Sequence, residues 1–399
     1  MKRHKPDFLI LFIVLTLVAF GLLMIFSASM VWAVQVAGEP PTYYVDRQII
    51  FALVGLVLMI ILMNIGPNAL RKWAKFFSII TFAMLVAVLI PGIGHKAAGV
   101  RRWLGPIQPS ELAQIGLLFY LAYIFDKNQA KLHQFSKGVF PPLLMLGTMF
   151  ILVLLEPDMG TGMLLLLSGL IVIIVAGVRA RHLFVIGALF TPLVALFAVV
   201  ESYRSIRIQV FFHPWSQAYV NQGGYQVQQS LMAIYHGGLF GQGLGQGIAP
   251  YLYLPIPHED FIFAVIVEEL GLVGAFVLLA LYASLVWRGI QVGLHLQNRF
   301  ASLLAYGISG MIGVGTLINI AAVTGLIPVT GIPLPFISYG GTALVTKMAA
   351  MGILLSLSRY TQEDRQVLRY TGPDNILPMP ERVQRMKPAT IKKKRRVKG

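Results

Sequence analysis

The residues best suited to chemistry lie between His258 and Glu269. His258, Glu259 and Asp260 follow Pro257 directly, at the mouth of an apolar run, and Glu268 and Glu269 sit inside that run. At about 1.5 Å rise per residue the two glutamates fall roughly 12 Å deeper than Asp260 along one helix. Carboxylates in an apolar setting are costly and persist with a partner or a task. Asp260 therefore reads either as a helix-start aspartate favoured by the macrodipole or as a general base. Glu268 and Glu269 read either as part of a structural ion pair or as functional groups. Lys347 lies as far into its own apolar run, counted from Tyr339, as Glu268 lies beyond Asp260. At equal depth, it is expected to neutralise Glu268 or Glu269.

Basic residues supply the second half of a possible site. Arg101 and Arg102 stand in Gly99-Val100-Arg101-Arg102-Trp103, ahead of Gln108-Pro109-Ser110-Glu111. Arginine presents a planar fork that matches phosphate oxygens. Asp158, in Glu156-Pro157-Asp158-Met159-Gly160-Thr161, is either the cap of the next helix or a second carboxylate of the site. A long segment then carries Arg204 and Arg207, His213-Pro214-Trp215 and a glycine-dense run from Gly237 to Gly245. Those glycines are too dense for a helix interior and permit tight turns or close backbone approach to a ligand. Arginines, two separated carboxylates and aromatic loops together suit a substrate with a diphosphate headgroup on a lipid tail. The arginines would hold the diphosphate and stabilise its departure, and a carboxylate would take the proton of an attacking sugar hydroxyl. The chain has no cysteine, no His-x-x-x-His pair and no nucleophile elbow, which argues against zinc hydrolysis and Ser-His catalysis.

The elements that must position these groups are membrane spans. Of 399 residues, 57% are hydrophobic and only 12% charged, as in an all-α polytopic membrane protein. Apolar runs near 8–30, 48–64, 76–92, 112–125, 140–156, 161–178, 182–200, 261–286, 302–323 and 339–357 predict about ten transmembrane helices. The fourth is short, and its outer end is expected to fray or re-enter. Ser27-Ala28-Ser29 imitates a cleavage site, but the first run is long enough to be an uncleaved span. Lys2, Arg3, Lys5, Arg71, Lys72, Lys75, Lys127, Lys131, Lys137, Arg179, Arg181, Arg288 and Arg299 then share one face with both termini, which the positive-inside rule makes cytoplasmic. The net charge of +16 is explained by that rule and by anionic lipid rather than by nucleic acid. Residues 1–360 are expected to form the membrane domain, with a large extracytoplasmic loop at about 201–259 between spans seven and eight. Residues 361–399 are expected to form a basic, disordered cytoplasmic tail attracted to anionic lipid. The Pro- and Gly-rich stretch 323–342 is expected to be a rigid re-entrant or lid element.

These stretches, in order, resemble the signatures of the SEDS family (shape, elongation, division and sporulation). They are Gly-Val-Arg-Arg-Trp with Gln-Pro-Ser-Glu, Glu-Pro-Asp-Met-Gly-Thr, Tyr-Gln-Val-Gln-Gln-Ser with the glycine run, His-Glu-Asp-Phe-Ile-Phe-Ala-Val-Ile-Val-Glu-Glu-Leu-Gly, and Pro-Val-Thr-Gly-Ile-Pro-Leu-Pro-Phe-Ile-Ser-Tyr-Gly-Gly-Thr. The resemblance implies a ten-span peptidoglycan glycosyltransferase that polymerises lipid II at the outer face of the bacterial cytoplasmic membrane, releasing undecaprenyl diphosphate with inversion. It implies Asp260 as general base for the acceptor hydroxyl. Arg101, Arg102, Gln108 and Glu111 match a substrate-binding motif, Asp158 matches a supporting or metal-related position, and Arg47 matches a basic position. A divalent cation, Mg or Mn, would be chemically reasonable beside a diphosphate. The implied partner is a class B penicillin-binding protein, a transpeptidase, with spans eight and nine offering a surface, alongside other division or elongation proteins. The competing functions are a lipid II flippase, for which Glu268, Glu269 and Lys347 would line a path, and a non-enzymatic scaffold. One departure stands out: Gln114 occupies a place where the family usually has lysine, so that charge is either missing or supplied by Lys96. Ser27-Ala28-Ser29 and the Glu-Glu-Leu-Gly run resemble the division and sporulation branch more than the elongation branch.

Overall fold

The computed structural model describes residues 4–97, 100–200 and 202–361. The expected tail, 361–399, lies outside the described residues apart from Thr361, as do Lys2 and Arg3 and the side chain of Lys96. Among the described residues the structure is mostly helical, with one small hairpin. The helices are α1 (Phe8–Trp32), α2 (Tyr43–Leu62), α3 (Pro67–Leu89), α4 (Pro109–Lys127), α5 (Phe140–Leu155), α6 (Met159–Val175), α7 (Ala180–Val200), α8 (Ser202–Phe212), α9 (Gly224–Gly237), α10 (Ile262–His295), α11 (Arg299–Val323) and α12 (Gly341–Ser358). The hairpin pairs β1 (His95–Ala97) with β2 (Val100–Trp103), antiparallel, Lys96 opposite Arg101. Among the described residues, seven helices are long and apolar enough to cross a membrane. Their outer faces are apolar: Leu53, Val57 and Ile60 on α2, Trp73 and Phe76 on α3, and Phe276 and Val277 on α10 are exposed. The protein is a multi-pass membrane protein.

Local chemistry sets the helix ends. Asp7 accepts from the backbone N–H groups of Leu9 and Ile10 and so caps α1, and Asn298 caps α11 through Ala301. Pro67 and Pro109 open α3 and α4, where a missing N–H does no harm. Close helix approach uses small residues. A β-carbon on Gly352 of α12 would lie 2.5 Å from the Met59 carbonyl oxygen of α2, and one on Gly116 of α4 would strike Thr81 of α3.

One end of the bundle is tied together by ions. Arg288 at the far end of α10 pairs with Asp7 at 2.6 Å, and Arg71 of α3 pairs with Asp126 of α4 at 2.6 Å. The Asp7 N–H donates to Ser358 Oγ at 3.0 Å, so the start of α1 meets the end of α12. This is the basic end expected from the charge pattern.

Two expectations need correction and one needs detail. The fourth span is not short or frayed. α4 is a regular 19-residue helix, with Ser110, Glu111 and Gln114 buried against protein rather than lipid, which lowers its apparent hydropathy. The large loop expected at about 201–259 has internal structure that the sequence did not indicate, since its described residues form α8, α9 and a return stretch that packs on α1.

α10 is not continuous. It breaks at Gly271 (φ 70°, ψ −173°), just below Glu268 and Glu269. At such a break the carbonyls of residues 268 and 269 lose the N–H groups of residues 272 and 273. The glycine run supplies both sets of partners. Gln242 and Gly243 N–H donate to the carbonyls of Glu268 and Glu269 at 2.9 and 3.0 Å. Leu272 and Val273 N–H donate to the carbonyls of Gly238 and Leu239 at 3.0 and 3.1 Å. Irregular backbone at membrane depth survives only when its polar groups are satisfied in this way. The glycines therefore serve close backbone approach, to a helix of the same chain. The stretch 323–342 also runs into the bundle, with Ile332, Leu334, Phe336 and Ile337 buried and Phe336 O 2.6 Å from where a β-carbon on Gly21 of α1 would sit.

Candidate functional site

The site forms at the end of the bundle opposite the Asp7–Arg288 pair, around Asp260. The turn before α10 is fixed from both sides. Tyr339 N–H donates to the His258 carbonyl at 2.8 Å, and His258 itself is buried against the rings of Tyr44 and Tyr339, with centroids 4.3 and 5.6 Å away. Burial lowers the His258 imidazole to about 4, so it is neutral and acts as an anchor. Asn319 of α11 donates to the Asp260 carbonyl at 2.8 Å and to the Ile332 carbonyl at 2.7 Å, tying the turn to the 323–342 stretch.

Asp260 lies where two cavities meet. One, of about 390 Å³, is lined by Arg102, Asp158, Met163, Arg204, Arg207 and Gly331 as well as Asp260. The other, of about 630 Å³, adds Arg47, Trp103, Gln108, Glu111, Thr161 and Tyr339. The floor between carboxylate and guanidinium is Gly331, with φ 77°. A β-carbon there would lie 3.3 Å from Asp260 Oδ2 and 3.8 Å from Arg207 Nη1, so the absent side chain leaves the two groups facing a common space. Burial raises the Asp260 carboxyl to about 6; Arg207 and Arg102 pull it back, and Asp158 pushes it up. A base with that value is mostly ionised at neutral pH yet basic enough to accept a proton.

Asp158 is a helix cap that also borders both cavities. It caps α6, accepting from Thr161 N at 3.0 Å and Thr161 Oγ1 at 3.0 Å, and it stands in the cavity, where Gln108 Nε2 donates to it at 3.2 Å. Its carboxyl is raised by burial and held back by Arg102. Arg102 donates through Nε to the Glu156 carbonyl at 2.8 Å and through Nη2 to that of Pro157, which turns the guanidinium over the cavity. Arg204 donates to the Leu154 carbonyl at 3.0 Å and Arg207 to that of Val329 at 2.8 Å. Arg47 stacks over Tyr43 at 4.2 Å and borders the larger cavity.

Not every expected residue joins the site. Arg101 lines neither cavity: successive strand residues point to opposite faces, so β2 sends Arg102 in and Arg101 away. The expected pairing of Lys347 with Glu268 or Glu269 is wrong. Lys347 Nζ lies 2.8 Å from Glu111 Oε2 and donates to Gln114 Oε1 at 2.6 Å. Residue counts along a helix do not say which way a side chain faces around it, and Lys347 faces α4. Glu268 instead accepts from the N–H groups of Ile248 and Ala249 at 3.0 Å each, and Glu269 accepts from Ser27 Oγ. Lys347 and the two glutamates thus make separate contacts. Gln114 has an ammonium beside it after all, and it is the one on Lys347.

Four contributors escaped the sequence reading: Gly331, Asn319, His258 as an anchor, and Glu156. Asn319 had a visible signal, an amide alone in an apolar helix. Glu156 is fully buried behind Arg102, and burial lifts its carboxyl to about 8 with Asp158 adding to the rise. A dedicated protein cage for a divalent cation is not built among the described residues, and a cation shared with a bound diphosphate would fall to Asp158 and Asp260. Among the described residues no three His, Asp or Glu side chains converge, and both oxygens of Asp158 already accept hydrogen bonds.

The family described as cell cycle protein, FtsW/RodA/SpoVE, matches residues 7–363. The chain belongs to this family, the SEDS proteins. Stage V sporulation protein E of Bacillus subtilis (strain 168) is 39% identical over 365 residues, covering 90% of this chain and 99% of that protein. The probable peptidoglycan glycosyltransferase FtsW of Geobacter sp. (strain M18) is 36% identical over 363 residues, covering 90% and 98%. Among solved structures, the rod shape determining protein RodA of Thermus thermophilus superposes with a TM-score of 0.66 at 28% identity, covering 90% of this chain and 98% of that one. A chain from a peptidoglycan synthase complex that coordinates polymerization and crosslinking superposes with a TM-score of 0.72 at 28% identity, covering 89% and 98%. The SEDS fold therefore carries the Asp260 site. The named relatives lie on the FtsW and SpoVE side, as the Ser27-Ala28-Ser29 and Glu-Glu-Leu-Gly runs led us to expect.

Proposed function

We propose that this SEDS protein is a peptidoglycan glycosyltransferase that polymerises lipid II in the bacterial cytoplasmic membrane, at the face opposite the basic end. The observation that carries the reading is the Asp260 carboxylate, which faces Arg207 across Gly331 at the meeting point of two cavities, each bordered by arginine. Asp260 takes the proton from the acceptor sugar hydroxyl as that oxygen attacks the donor anomeric carbon from the face opposite the leaving group. The bond to undecaprenyl diphosphate breaks, and the negative charge on the departing diphosphate is met by guanidinium groups of Arg102, Arg204 and Arg207, with Arg47 at the mouth of the larger cavity. Asp158 and Gln108 shape the wall between Arg102 and Asp260. The relatives named as FtsW and SpoVE support a role in division or sporulation wall synthesis. A class B penicillin-binding protein is the proposed partner, in keeping with the likeness to a synthase complex that joins polymerization to crosslinking.

The flippase alternative loses its main support, since Glu268, Glu269 and Lys347 are each engaged locally. A scaffold would have no use for a carboxylate raised toward neutrality among arginines. The test is incubation of the purified chain and its transpeptidase with lipid II in proteoliposomes. Glycan strands support the polymerase; lipid II crossing the bilayer without strands would replace it with the flippase.

A further inference from the structure

We infer that Lys347 is a positioning residue of the reaction, holding an ionised Glu111 on the floor of the Asp260 cavity so that its carboxylate receives hydrogen bonds from the sugar substrate. This rests on the glycosyltransferase reading above. Lys347 Nζ sits 2.8 Å from Glu111 Oε2 and 2.6 Å from Gln114 Oε1. Glu111 and Gln114 are three apart on α4, which puts both acceptors on one helix face, toward α12. The lysine and glutamate side chains are each about 5% exposed.

A buried ion pair is a poor device for stability alone, because apolar residues of similar size often serve as well or better. The placement of this pair suggests another use. Glu111 lines the cavity that also holds Arg47, Gln108 and Asp260. With Oε2 held by Lys347, the remaining oxygen is the one available to a hydroxyl or amide N–H in that cavity. The ammonium is itself well located: the start of α12 is fastened to the site by Thr342 Oγ1, which donates to the Pro106 carbonyl at 3.1 Å, and by Gly340 N–H, which donates to Gln48 Oε1 at 3.3 Å. The charge that Gln114 lacks thus reaches the same point from a different helix.

The same geometry gives the test. Because Gln114 Oε1 touches Lys347 Nζ, a lysine at position 114 with an apolar residue at 347 should return the ammonium to Glu111. We would compare lipid II polymerisation by the full chain with its transpeptidase for the native protein, Lys347→Met, Lys347→Met with Gln114→Lys, and the neutral pair Glu111→Gln with Lys347→Met. Thermal unfolding would be followed for each. Misplacement of a substrate-contacting group by about an ångström can cost on the order of 100-fold. Lys347→Met and the neutral pair should lose about that in kcat/KM, the neutral pair should unfold close to the native temperature, and the relocated lysine should recover most of the loss. A neutral pair that polymerises like the native protein would overturn the inference, as would a folded relocation variant no better than Lys347→Met. Absence of strands from the native protein would instead bring down the glycosyltransferase reading, and this inference with it.

Discussion

Asp260 and Gly331 face each other so closely that a single methyl group on Gly331 would come within 3.3 Å of the carboxylate oxygen. The glycine sits at φ 77°, a conformation an L side chain resists. Gly331→Ala is therefore expected to do two things, strain the 323–342 stretch and fill the space between Asp260 and Arg207. Polymerisation should fall by about 100-fold while the protein still inserts and binds its partner. The check is kcat/KM for strand formation alongside co-purification of the transpeptidase.

The raised carboxyl of Asp260 gives a pH signature. A base must be unprotonated, and this one takes up its proton as pH falls through about 6. Polymerisation measured as kcat/KM should be level above that value and fall about tenfold per pH unit below it. An acidic limb near 4, the ordinary aspartate range, would mean that the half-buried setting of Asp260 is absent in solution.

Glu156 makes the opposite kind of prediction, about stability. Its folded value, about 8, lies above the unfolded one, so the folded state holds a proton that the unfolded chain releases near 4.5. The sign follows: its contribution is fully present below pH 4.5 and is lost as pH rises through 8. Glu156→Gln, which keeps a neutral group of the same shape, should raise the unfolding temperature at pH 8 to 9 relative to the native protein and leave it little changed at pH 5. Thermal unfolding in detergent across that range measures it.

The break in α10 should be intolerant of side chains. A β-carbon on Gly241 would lie 2.2 Å from the Glu269 carbonyl oxygen, and one on Gly271 would lie 2.3 Å from that of Leu239. Both contacts are with backbone, and both glycines have positive φ. Gly271→Ala and Gly241→Ala should each destabilise by about 2 to 4 kcal/mol through overpacking and strain. Unfolding temperature and yield of folded protein report the effect, and Gly245→Ala, with open space around its α-carbon, provides a comparison for φ alone.

What could be read from the chain beforehand divides along physical lines. Apolar runs mark helices because lipid demands them, and each run was found as a helix. Asp260, Arg102, Asp158 and Arg207 were legible because charged groups away from the basic end need a reason. α4 was misjudged because Ser110, Glu111 and Gln114 face protein, and a hydropathy window cannot tell a protein neighbour from water. Lys347 was assigned the wrong partner because residue counting gives depth and not facing. The break at Gly271 left only a glycine as its mark, and its meaning depends on Gly238 to Gly243 arriving from elsewhere in the chain. Arg101 and Arg102 were indistinguishable until a hairpin set their alternation.

The most direct test of the account is strand formation from lipid II by Asp260→Asn, which keeps the shape of the side chain and removes the base. The variant should fold, bind its transpeptidase and make strands at least about 1,000-fold more slowly than the native protein, a loss in the range of a general base in a positioned site. Polymerisation within a few-fold of native by a folded Asp260→Asn would contradict the account, since no other carboxylate bordering both cavities except Asp158 could replace it, and both Asp158 oxygens are already committed.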